Sequence, residues 1–470
     1  MLAASFKRTK IIATIGPASS SVKVMDELLS AGVNGFRFNF SHGTHDEHGK
    51  GMAQARELAT KHQRPLAIIA DLQGPKIRVG TLPAQGLALE RSQVVKFQLD
   101  ADYAVSSIIP VQYDVSIHVK PEERIFLRDG QIEVEVQNVD KGVITAIVVT
   151  PGTLFTKQGM NLPDTDMGGA ILTDKDIADL EFALAQKVDY LALSFVQRGQ
   201  DIIDFKERIQ KLGAATPVIV KFETSMAVAH IDEIVETADA IMVARGDLAV
   251  ETPLESVPTV QRRLVELGQR YKKPVIIATQ MLESMTGGST PTRAEVSDIA
   301  NATTQGADAV MLSGESAVGK FPVEAVKIMK RVIRYTEANM DRPIPYKFGG
   351  TAKDNAISAA AIILASKIEA KVIIAETASG QTARNVSSFR PPLPIIMVTD
   401  SKQVYNQLAI VWGGKSYYVD KPADGTAEVI RLLKEAGNVK AGDGVVVASG
   451  HQPGVTGGTD KVEIKIVPES

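Results

Sequence analysis

Short apolar segments alternate with amphipathic helical patterns along most of the chain. Eight of these segments have the composition of buried parallel strands. They are residues 10–16, 33–41, 66–71, 190–196, 218–223, 240–247, 275–280 and 309–313. Helical patterns lie between them, for example in residues 20–31, 259–271 and 292–305. Because eight parallel strands with alternating helices close a (β/α)8 barrel, the pattern predicts an α/β chain built on a TIM barrel.

Two parts of the chain depart from this alternation. Residues 75–167 contain short β-type segments with Gly and Asp turns and almost no helical period, which predicts a small β-barrel lid domain inserted into a barrel loop. Residues 346–470 return to alternating strands and helices, which predicts a C-terminal doubly wound α/β domain. Residues 1–74 and 168–345 would then form the two parts of the barrel.

Composition narrows the function classes. A chain of 470 residues is too long for one compact core, and its net charge of −3 gives no reason to expect nucleic acid or a membrane surface as partner. No apolar segment approaches the ~20 residues that a membrane span requires. The absence of cysteine excludes disulfides and thiolate chemistry, and the basic N-terminal segment runs directly into the first strand. We therefore expect a cytoplasmic protein.

Charged residues end two neighbouring predicted strands. VIVKFE ends in Lys221 and Glu223, and IMVARGD ends in Arg245 and Asp247. Because side chains two apart on a strand share a face, each pair is expected to point to one side. Two carboxylates beside two cations suit a hard divalent cation, Mg²⁺ or Mn²⁺, and an anionic phosphorylated substrate. The alternative is a set of salt bridges at the barrel rim.

Other strands end in polar residues as well, and the carboxyl ends of barrel strands carry the chemistry in this fold. These residues are Arg37, Asn39, Ser41, Asp71, Thr279 and Ser313. Gly246 precedes Asp247 and would let the backbone approach a ligand, although a simple strand-end turn is the alternative. The cluster of His42, His45, Asp46 and His48 is better explained as solvated residues at a helix start than as a metal site.

These motifs, taken in order, resemble the pyruvate kinase family of bacterial type. The matching segments are TKIIATIGPAS, RFNFSHG, DLQGPKIR, LRDG, KFE, MVARGDL, IIATQMLESM, PTRAEVSDIANA and MLSGES, with TASGQTARNVSSFRP in the C-terminal part. The resemblance implies phosphoryl transfer from phosphoenolpyruvate to ADP, which gives pyruvate and ATP in glycolysis. It also implies a divalent cation, a homotetramer and a barrel, lid and C-terminal domain.

The resemblance also assigns roles to individual residues. The residues that would act in catalysis are Lys221, Thr279, Arg37 and Ser313. The substrate would be bound by Arg37, Lys221, Gly246, Asp247 and Thr279, and the divalent cation would be bound by Glu223 and Asp247. Nucleotide binding falls to Asn39, His42, Arg78 and Lys157, where Gln158 is the alternative to Lys157. Arg293 would reach the active site of a neighbouring subunit.

One departure from the family pattern concerns potassium. Asn39, Ser41 and Asp71 match the family's K⁺ ligands, but Leu72 and Lys76 stand where the family has Thr and Glu. The Lys76 ammonium could replace the ion, so we expect that K⁺ is not required. The alternative is that Lys76 is only a surface charge.

The C-terminal domain contains a turn that suits a phosphorylated effector. Thr377, Ser379, Gly380 and Thr382 lie in a strand-to-helix turn, where backbone N–H groups can bind phosphate. The resemblance implies a sugar-phosphate or nucleotide effector there. Its identity stays open because the later loop GHQPGVTGG lacks the Trp and Arg of some regulated members.

Two other functions remain open at this point. Lyases and aldolases that act on pyruvate also use barrels with Mg²⁺, but they would not need the lid or Arg37 beside Lys221. A non-catalytic metabolite sensor would not need the complete set of polar strand ends. Dependence on ADP separates both from a kinase.

Overall fold

A computed structural model of the chain describes residues 7–167, 171–340, 353–420, 424–450 and 459–469. Eight parallel strands close a barrel in which the first strand pairs with both the second and the eighth. They are Lys10–Ile15, Gly35–Asn39, Ala67–Asp71, Tyr190–Leu193, Val218–Phe222, Ala240–Ala244, Val275–Ala278 and Ala309–Leu312. The predicted barrel is confirmed. Seven of the eight strands end one to three residues earlier than predicted, although Arg37, Asp71 and Lys221 still lie within strands.

Alternation along the strands divides the barrel core into two parts. One set of side chains, which includes Ile12, Ile69 and Met242, fills the barrel interior. The other set, which includes Ile11 and Ile241, packs against the surrounding helices. Both faces of each strand are therefore apolar, which explains why the strands read as continuous hydrophobic segments in the sequence.

Five of the described barrel helices begin at a residue whose side chain caps the helix. The helices of the barrel are Val22–Ala31, His45–Lys61, Asp174–Ala185, Gly199–Lys211, Ser225–Ala229, Ile231–Thr237, Arg245–Glu251, Val257–Tyr271, Arg293–Gln305, Gly314–Ala317 and Pro322–Asn339, with 3₁₀ turns at Leu254–Ser256 and Glu283–Thr286. Ser21 accepts a hydrogen bond from the Val24 N–H, and Thr292 forms a capping box with Glu295. Within the described ranges, no helix is both long and apolar enough to cross a membrane.

The insertion after the third barrel strand folds as β structure. Its strands are Leu87–Leu89, Val94–Leu99, Ile109–Val111, Arg124–Leu127, Ile132–Asp140, Val143–Thr150, Gly152–Leu154 and Met160–Asn161, with short helical turns at Tyr103–Ser106 and Val115–Ile117. They form one six-stranded and one two-stranded sheet around a separate hydrophobic core. A separate core is what an inserted domain needs to fold independently of the barrel.

The C-terminal domain is a five-stranded sheet with a hydrophobic core on each face. Its strands are Ile373–Glu376, Ile395–Thr399, Gly414–Tyr418, Gly444–Gly450 and Thr459–Ile466, and only the last is antiparallel. Its helices are Lys353–Lys367, Gln381–Ser388, Lys402–Gln407 and Gly425–Glu435, with a 3₁₀ turn at Leu408–Ile410. The predicted domain limits near residues 168 and 346 lie outside the described residues and stay predictions.

The C-terminal domain closes the end of the barrel opposite the polar rim. Ala409 and Ile410 join the interior core of the barrel. Asp308, just before the eighth strand, accepts a hydrogen bond from the Trp412 N–H at 3.0 Å and pairs with the Arg390 guanidinium at 2.6 Å. Both side chains of that pair are almost fully buried. The base of the barrel is therefore fixed to the C-terminal domain by an apolar plug and a buried ion pair.

Candidate active site

Lys221 lies at the centre of the polar rim. Its ammonium is 3.1 Å from Glu223 Oε2 and 3.6 Å from Asp71 Oδ1, and it donates a hydrogen bond to Ser194 Oγ at 2.7 Å. The two carboxylates are 1% exposed and the lysine side chain is 13% exposed. The structure thus brings together two of the charged strand-end residues predicted from the sequence, with the third-strand Asp71 on the other side.

Charge on this cluster is set by the competition between burial and neighbours. Burial disfavours the lysine cation, but the carboxylates of Asp71, Glu223 and Asp247 outweigh it and raise the pKa of Lys221 above its ordinary value. Burial also disfavours the charged form of Glu223 and therefore raises its pKa, although Lys221 and the Phe195 N–H oppose that shift. Lys221 is therefore cationic throughout the physiological pH range.

Arg37 approaches the same rim from the second strand. Its Nε donates to Asp71 Oδ2 at 2.6 Å, and its Nη1 donates to Thr14 Oγ1 at 3.0 Å. The Thr14 hydroxyl in turn donates to the Leu312 carbonyl at 2.9 Å. Contacts to the first and third strands hold the guanidinium in place, and Asp71 is the carboxylate that contacts both Arg37 and Lys221.

The predicted common face of Arg245 and Asp247 is wrong. The strand ends at Ala244, and both residues lie in the helix Arg245–Glu251, where positions two apart point in different directions. Arg245 turns away to pair with Asp298 at 2.7 Å and to donate to the Thr279 carbonyl at 2.7 Å. Arg245 therefore supports the loop that carries Thr279, while Asp247 faces the lysines of the rim.

Thr279 is held in an unusual backbone conformation. Its φ is +68°, which is rare for a β-branched residue and costs of order 1–3 kcal/mol. Its hydroxyl accepts a hydrogen bond from the Gly246 N–H at 2.8 Å. A Cβ added at Gly246 would meet Thr279 Oγ1 at an ordinary 3.5 Å, so contacts within the protein do not require glycine there. The strained backbone of Thr279 lies beside Gly246, a glycine that contacts within the protein do not require. Together they indicate a ligand-binding site.

Two buried oxygen atoms at the rim have no hydrogen-bond partner among the described residues. They are Ser313 Oγ and Asp71 Oδ1. Glu315 holds the Ser313 loop by accepting from the Ser313 N–H at 2.7 Å and from the Leu282 N–H at 2.9 Å. Since buried polar atoms are normally satisfied, Ser313 Oγ is available to water or a ligand, whereas Asp71 Oδ1 still lies 3.6 Å from the Lys221 ammonium.

The predicted potassium ligands do not form a separate cluster with Lys76. Asn39 Oδ1 accepts from the Ser41 N–H at 3.2 Å, and Asp71 is occupied by Arg37 and Lys221. The Lys76 ammonium lies 3.6 Å from Asp247 Oδ1. Lys76 therefore faces the candidate site from the root of the lid domain.

The predicted nucleotide residues come from the barrel, with Asn39 and His42, and from the inserted domain, with Arg78 and Lys157. His42 is exposed, and its carbonyl contacts the His48 ring at 2.8 Å. Arg78 donates to the Lys157 carbonyl at 3.0 Å. Lys157 is exposed, whereas the Gln158 side chain accepts from the Phe155 N–H at 2.9 Å. Of the two alternatives, Lys157 has the freer side chain.

The predicted effector turn has the expected strand-to-helix geometry. Gly380 has a φ of +83° and precedes the helix Gln381–Ser388. Thr377 and Thr382 are buried, and the Thr382 hydroxyl lies 2.5 Å from that of Thr459. The loop GHQPGVTGG lies in residues 450–458, of which 451–458 are outside the described residues.

Some residues of the site were missed from the sequence. Ser194, which accepts a hydrogen bond from Lys221, directly follows the fourth strand, as Ser313 follows the eighth. Thr14, which orients Arg37, lies inside the first strand and carries no such signal. Glu251 is buried at the end of the Asp247 helix and accepts from Asn161 of the lid at 2.9 Å. The strand-end pattern could have found Ser194, but the other two contacts depend on the tertiary structure.

Comparison with known proteins agrees with this geometry. The pyruvate kinase barrel domain family matches residues 6–326, and the pyruvate kinase alpha/beta domain family matches residues 355–465. Pyruvate kinase 2 of Synechocystis sp. is 41% identical, and the alignment covers 98% of this chain and 79% of the relative. The pyruvate kinase of Corynebacterium glutamicum is 38% identical with 98% of both chains covered.

A solved structure gives the same result for the fold. The crystal structure of a pyruvate kinase from Cryptosporidium parvum has a TM-score of 0.91 and 33% sequence identity, and the match covers 98% of this chain and 96% of that one. The three-domain prediction of barrel, β insertion and α/β domain fits this similarity. The chain therefore belongs to the pyruvate kinase family, whose members are phosphotransferases that act on phosphoenolpyruvate, ADP or ATP, and pyruvate with the aid of a divalent metal ion.

Proposed function

We propose that this rim catalyses phosphoryl transfer from phosphoenolpyruvate to ADP as a step of glycolysis. The observation that carries the proposal is the position of Lys221, which lies between Asp71 and Glu223 with Arg37 on the same rim. Two fixed cations beside buried carboxylates suit a phosphoryl group that must be positioned and neutralised rather than attacked by the protein.

Each rim residue would have a distinct task. Arg37 would bind the phosphate through its planar fork, and Lys221 would place a charge near the oxygen that bridges the transferring group. The Gly246 backbone and the Thr279 hydroxyl would hold the carboxylate end of the substrate. Ser313 Oγ, buried without a partner among the described residues, would help to deliver a proton to the enolate left after transfer.

Glu223 and Asp247 fit a hard divalent cation. Both are carboxylates near Lys221, and among the described residues no group of three or more metal-binding side chains completes a cage. Mg²⁺ commonly keeps several waters and takes one or two carboxylates plus substrate oxygens, which matches this donor set. Mg²⁺ or Mn²⁺ bound there would supply positive charge against the phosphate and carboxylate of the substrate.

Pyruvate formation from phosphoenolpyruvate, ADP and Mg²⁺ tests the proposal. We expect turnover that requires all three, and none when ADP is omitted. Pyruvate formation without ADP would favour a lyase instead. A folded protein that binds phosphoenolpyruvate without turnover, with or without phosphorylated effectors, would favour a metabolite sensor.

We further propose that the enzyme does not require K⁺, because Lys76 supplies a fixed positive charge beside Asp247. Turnover should be comparable in KCl and in tetramethylammonium chloride of equal ionic strength. Lys76→Glu should create K⁺ activation, whereas Lys76→Arg should not. Strict K⁺ dependence of the unmodified enzyme would contradict this role of Lys76.

The remaining assignments are proposals of the same kind. Asn39, His42, Arg78 and Lys157 would contact the nucleotide, and Thr377, Ser379, Gly380 and Thr382 would bind a phosphorylated effector. We also propose a homotetramer in which Arg293, exposed at the start of a barrel helix, reaches a neighbouring subunit. Light scattering tests the tetramer, and activation that survives disruption of the Ser379 turn would count against the effector site. A cytoplasmic location also stays a prediction.

A further inference from the structure

Arg245 is one of the two strand-end cations predicted to suit an anionic substrate, but its side chain donates hydrogen bonds to the protein itself. Its Nε donates to the Ala278 carbonyl at 3.3 Å, and its Nη2 donates to the Thr279 carbonyl at 2.7 Å and to Met281 Sδ at 2.9 Å. Ala278 is the last residue of the seventh barrel strand, and Thr279 begins the loop that follows it. The guanidinium therefore binds two consecutive peptide carbonyls at the rim.

The remaining nitrogen of the guanidinium, Nη1, is occupied as well. It lies 2.7 Å from Asp298 Oδ2 and donates to Gln261 Oε1 at 3.3 Å. The Arg245 side chain is 12% exposed. An arginine carries five N–H donors, and the contacts to the carbonyls, the thioether, the carboxylate and the carboxamide use all of them. Arg245 therefore has no donor left for the phosphate or the carboxylate of a substrate.

The backbone that Arg245 binds is in a strained conformation. Thr279 has a φ of +68° and the next residue, Gln280, has a φ of +54°. Residues other than glycine rarely adopt this left-handed conformation, and it persists where surrounding contacts impose it. The Thr279 carbonyl belongs to the peptide bond between the two strained residues. Its hydrogen bond to Arg245 is therefore a contact that can impose the turn.

The Thr279 hydroxyl is oriented by the residue that follows Arg245. The Gly246 N–H donates to Thr279 Oγ1 at 2.8 Å. Within the part of the chain that the structure describes, no atom accepts a hydrogen bond from this hydroxyl. Because a hydroxyl can accept and donate at the same time, the Thr279 O–H is left to donate to a ligand.

We propose that Arg245 is a positioning residue, which holds Thr279 and Gln280 in the left-handed conformation and so directs the Thr279 hydroxyl at the carboxylate end of the substrate. Asp298 holds the guanidinium in turn. The inference rests on the function proposed above, because it concerns the turn that would bind the substrate. It gives Arg245 no contact with the substrate itself.

Arg245→Lys tests the proposal in the full-length enzyme. It keeps the positive charge, but an ammonium is a point charge and cannot span two carbonyls and Asp298 as a planar guanidinium does. The KM for phosphoenolpyruvate should rise about tenfold, whereas the KM for ADP should stay within about twofold of its unmodified value. Arg262→Lys is the matched control, because Arg262 is 62% exposed and pairs with Glu266 on its own helix. The control should leave both KM values within about twofold.

A second substitution separates the geometry of the turn from the loss of the arginine. Glycine adopts a positive φ without strain, so a turn with Gln280→Gly needs less support from position 245. In the Arg245→Lys background, Gln280→Gly should lower the KM for phosphoenolpyruvate about threefold. Gln280→Ala removes the same exposed side chain but keeps the strain, so it should not lower the KM. In the unmodified background, Gln280→Gly should have a smaller effect because Arg245 already holds the turn.

The outcomes separate positioning from the other roles that an arginine can have. A folded Arg245→Lys variant with unchanged KM for phosphoenolpyruvate and a lower Tm would limit Arg245 to stability and overturn the proposal. A raised KM that Gln280→Gly does not lower would indicate direct contact with the substrate and would also overturn it. Equal rescue by Gln280→Gly and Gln280→Ala would overturn the role of backbone strain.

Titration calorimetry with phosphoenolpyruvate and Mg²⁺ repeats the comparison without turnover. The Kd should change in the same order among the variants as the KM does. An unmodified protein that binds phosphoenolpyruvate but forms no pyruvate would overturn the proposed reaction, while the Kd values of the variants would still decide the role of Arg245. Equal Kd values in the unmodified protein and Arg245→Lys would overturn the positioning role and leave the proposed reaction standing.

Discussion

Replacement of Lys221 by methionine removes the one charge that lies between two buried carboxylates. Its ammonium is 3.1 Å from Glu223 and 3.6 Å from Asp71, so each attraction is about 5 kcal/mol at an effective dielectric near 20. A phosphoryl group ~4 Å away would gain roughly 4 kcal/mol from the same charge in the transition state, which corresponds to about three orders of magnitude in rate. We expect Lys221→Met to lower kcat about 10³-fold.

The same substitution also affects stability, which has to be measured separately. Glu223 would lose its cation while Asp71 keeps Arg37, and removal of one partner from a buried ion pair costs about 3–5 kcal/mol. Pyruvate formation should therefore be measured at a temperature where circular dichroism shows the variant to be folded. Lys211→Met, at an exposed position, is the control for loss of a lysine.

A weaker companion variant separates charge from position. Ser194→Ala keeps the Lys221 charge but removes its 2.7 Å hydrogen bond, which is worth about 1–3 kcal/mol. Its kcat should fall about tenfold with little change in KM. A folded Lys221→Met variant whose kcat stays within tenfold of the unmodified enzyme would refute the assignment of Lys221 to the transition state.

Two further predictions concern stability. Asp308→Asn breaks the buried pair with Arg390 and should lower the free energy of unfolding by about 3–5 kcal/mol in urea, whereas Asp232→Asn, at an exposed pair, should change it by less than about 1 kcal/mol. Equal losses of unfolding free energy in the two variants would contradict the idea that burial makes the Asp308–Arg390 pair costly to break. Burial raises the pKa of Glu251 from 4.5 to about 7, so the folded state holds this proton more tightly, and the resulting stabilisation is complete below pH ~4.5 and lost as the pH rises through 7. Without divalent cations, the free energy of unfolding of Glu251→Gln minus that of the unmodified protein should increase by about 2–3 kcal/mol between pH 5 and pH 8. A difference that stays constant with pH would contradict this expectation.

The fold was predictable because its signal is local. Each barrel strand is apolar on both faces, and several helices between strands begin at Ser or Thr caps that can be read in the sequence. The insertion was predictable for the same reason, since its alternating strands lack helical period. The predicted ends of the strands were less accurate. A strand ends where its hydrogen bonds to the neighbouring strands end, and that depends on the tertiary structure.

The site was predictable in part because barrel closure brings all strand carboxyl ends to one rim. Lys221, Glu223 and Asp71 are each recognisable as polar residues at the end of an apolar strand, and the fold then places both carboxylates within 3.6 Å of the Lys221 ammonium. The strand rule failed at Arg245 because the chain had already entered a helix. Because the helix begins at Arg245, Asp247 faces the rim and Arg245 does not.

The sequence by itself determined the family, the barrel and the polar rim, since these depend on residue types at fixed spacings along the chain. Only the tertiary structure decided that Lys76 faces Asp247, that Asp308 binds Arg390, and that Asn161 of the lid binds Glu251. These contacts join residues far apart in the chain, so their distances depend on how complete domains pack. Packing of domains is a property of surfaces, and no local pattern in the sequence encodes it.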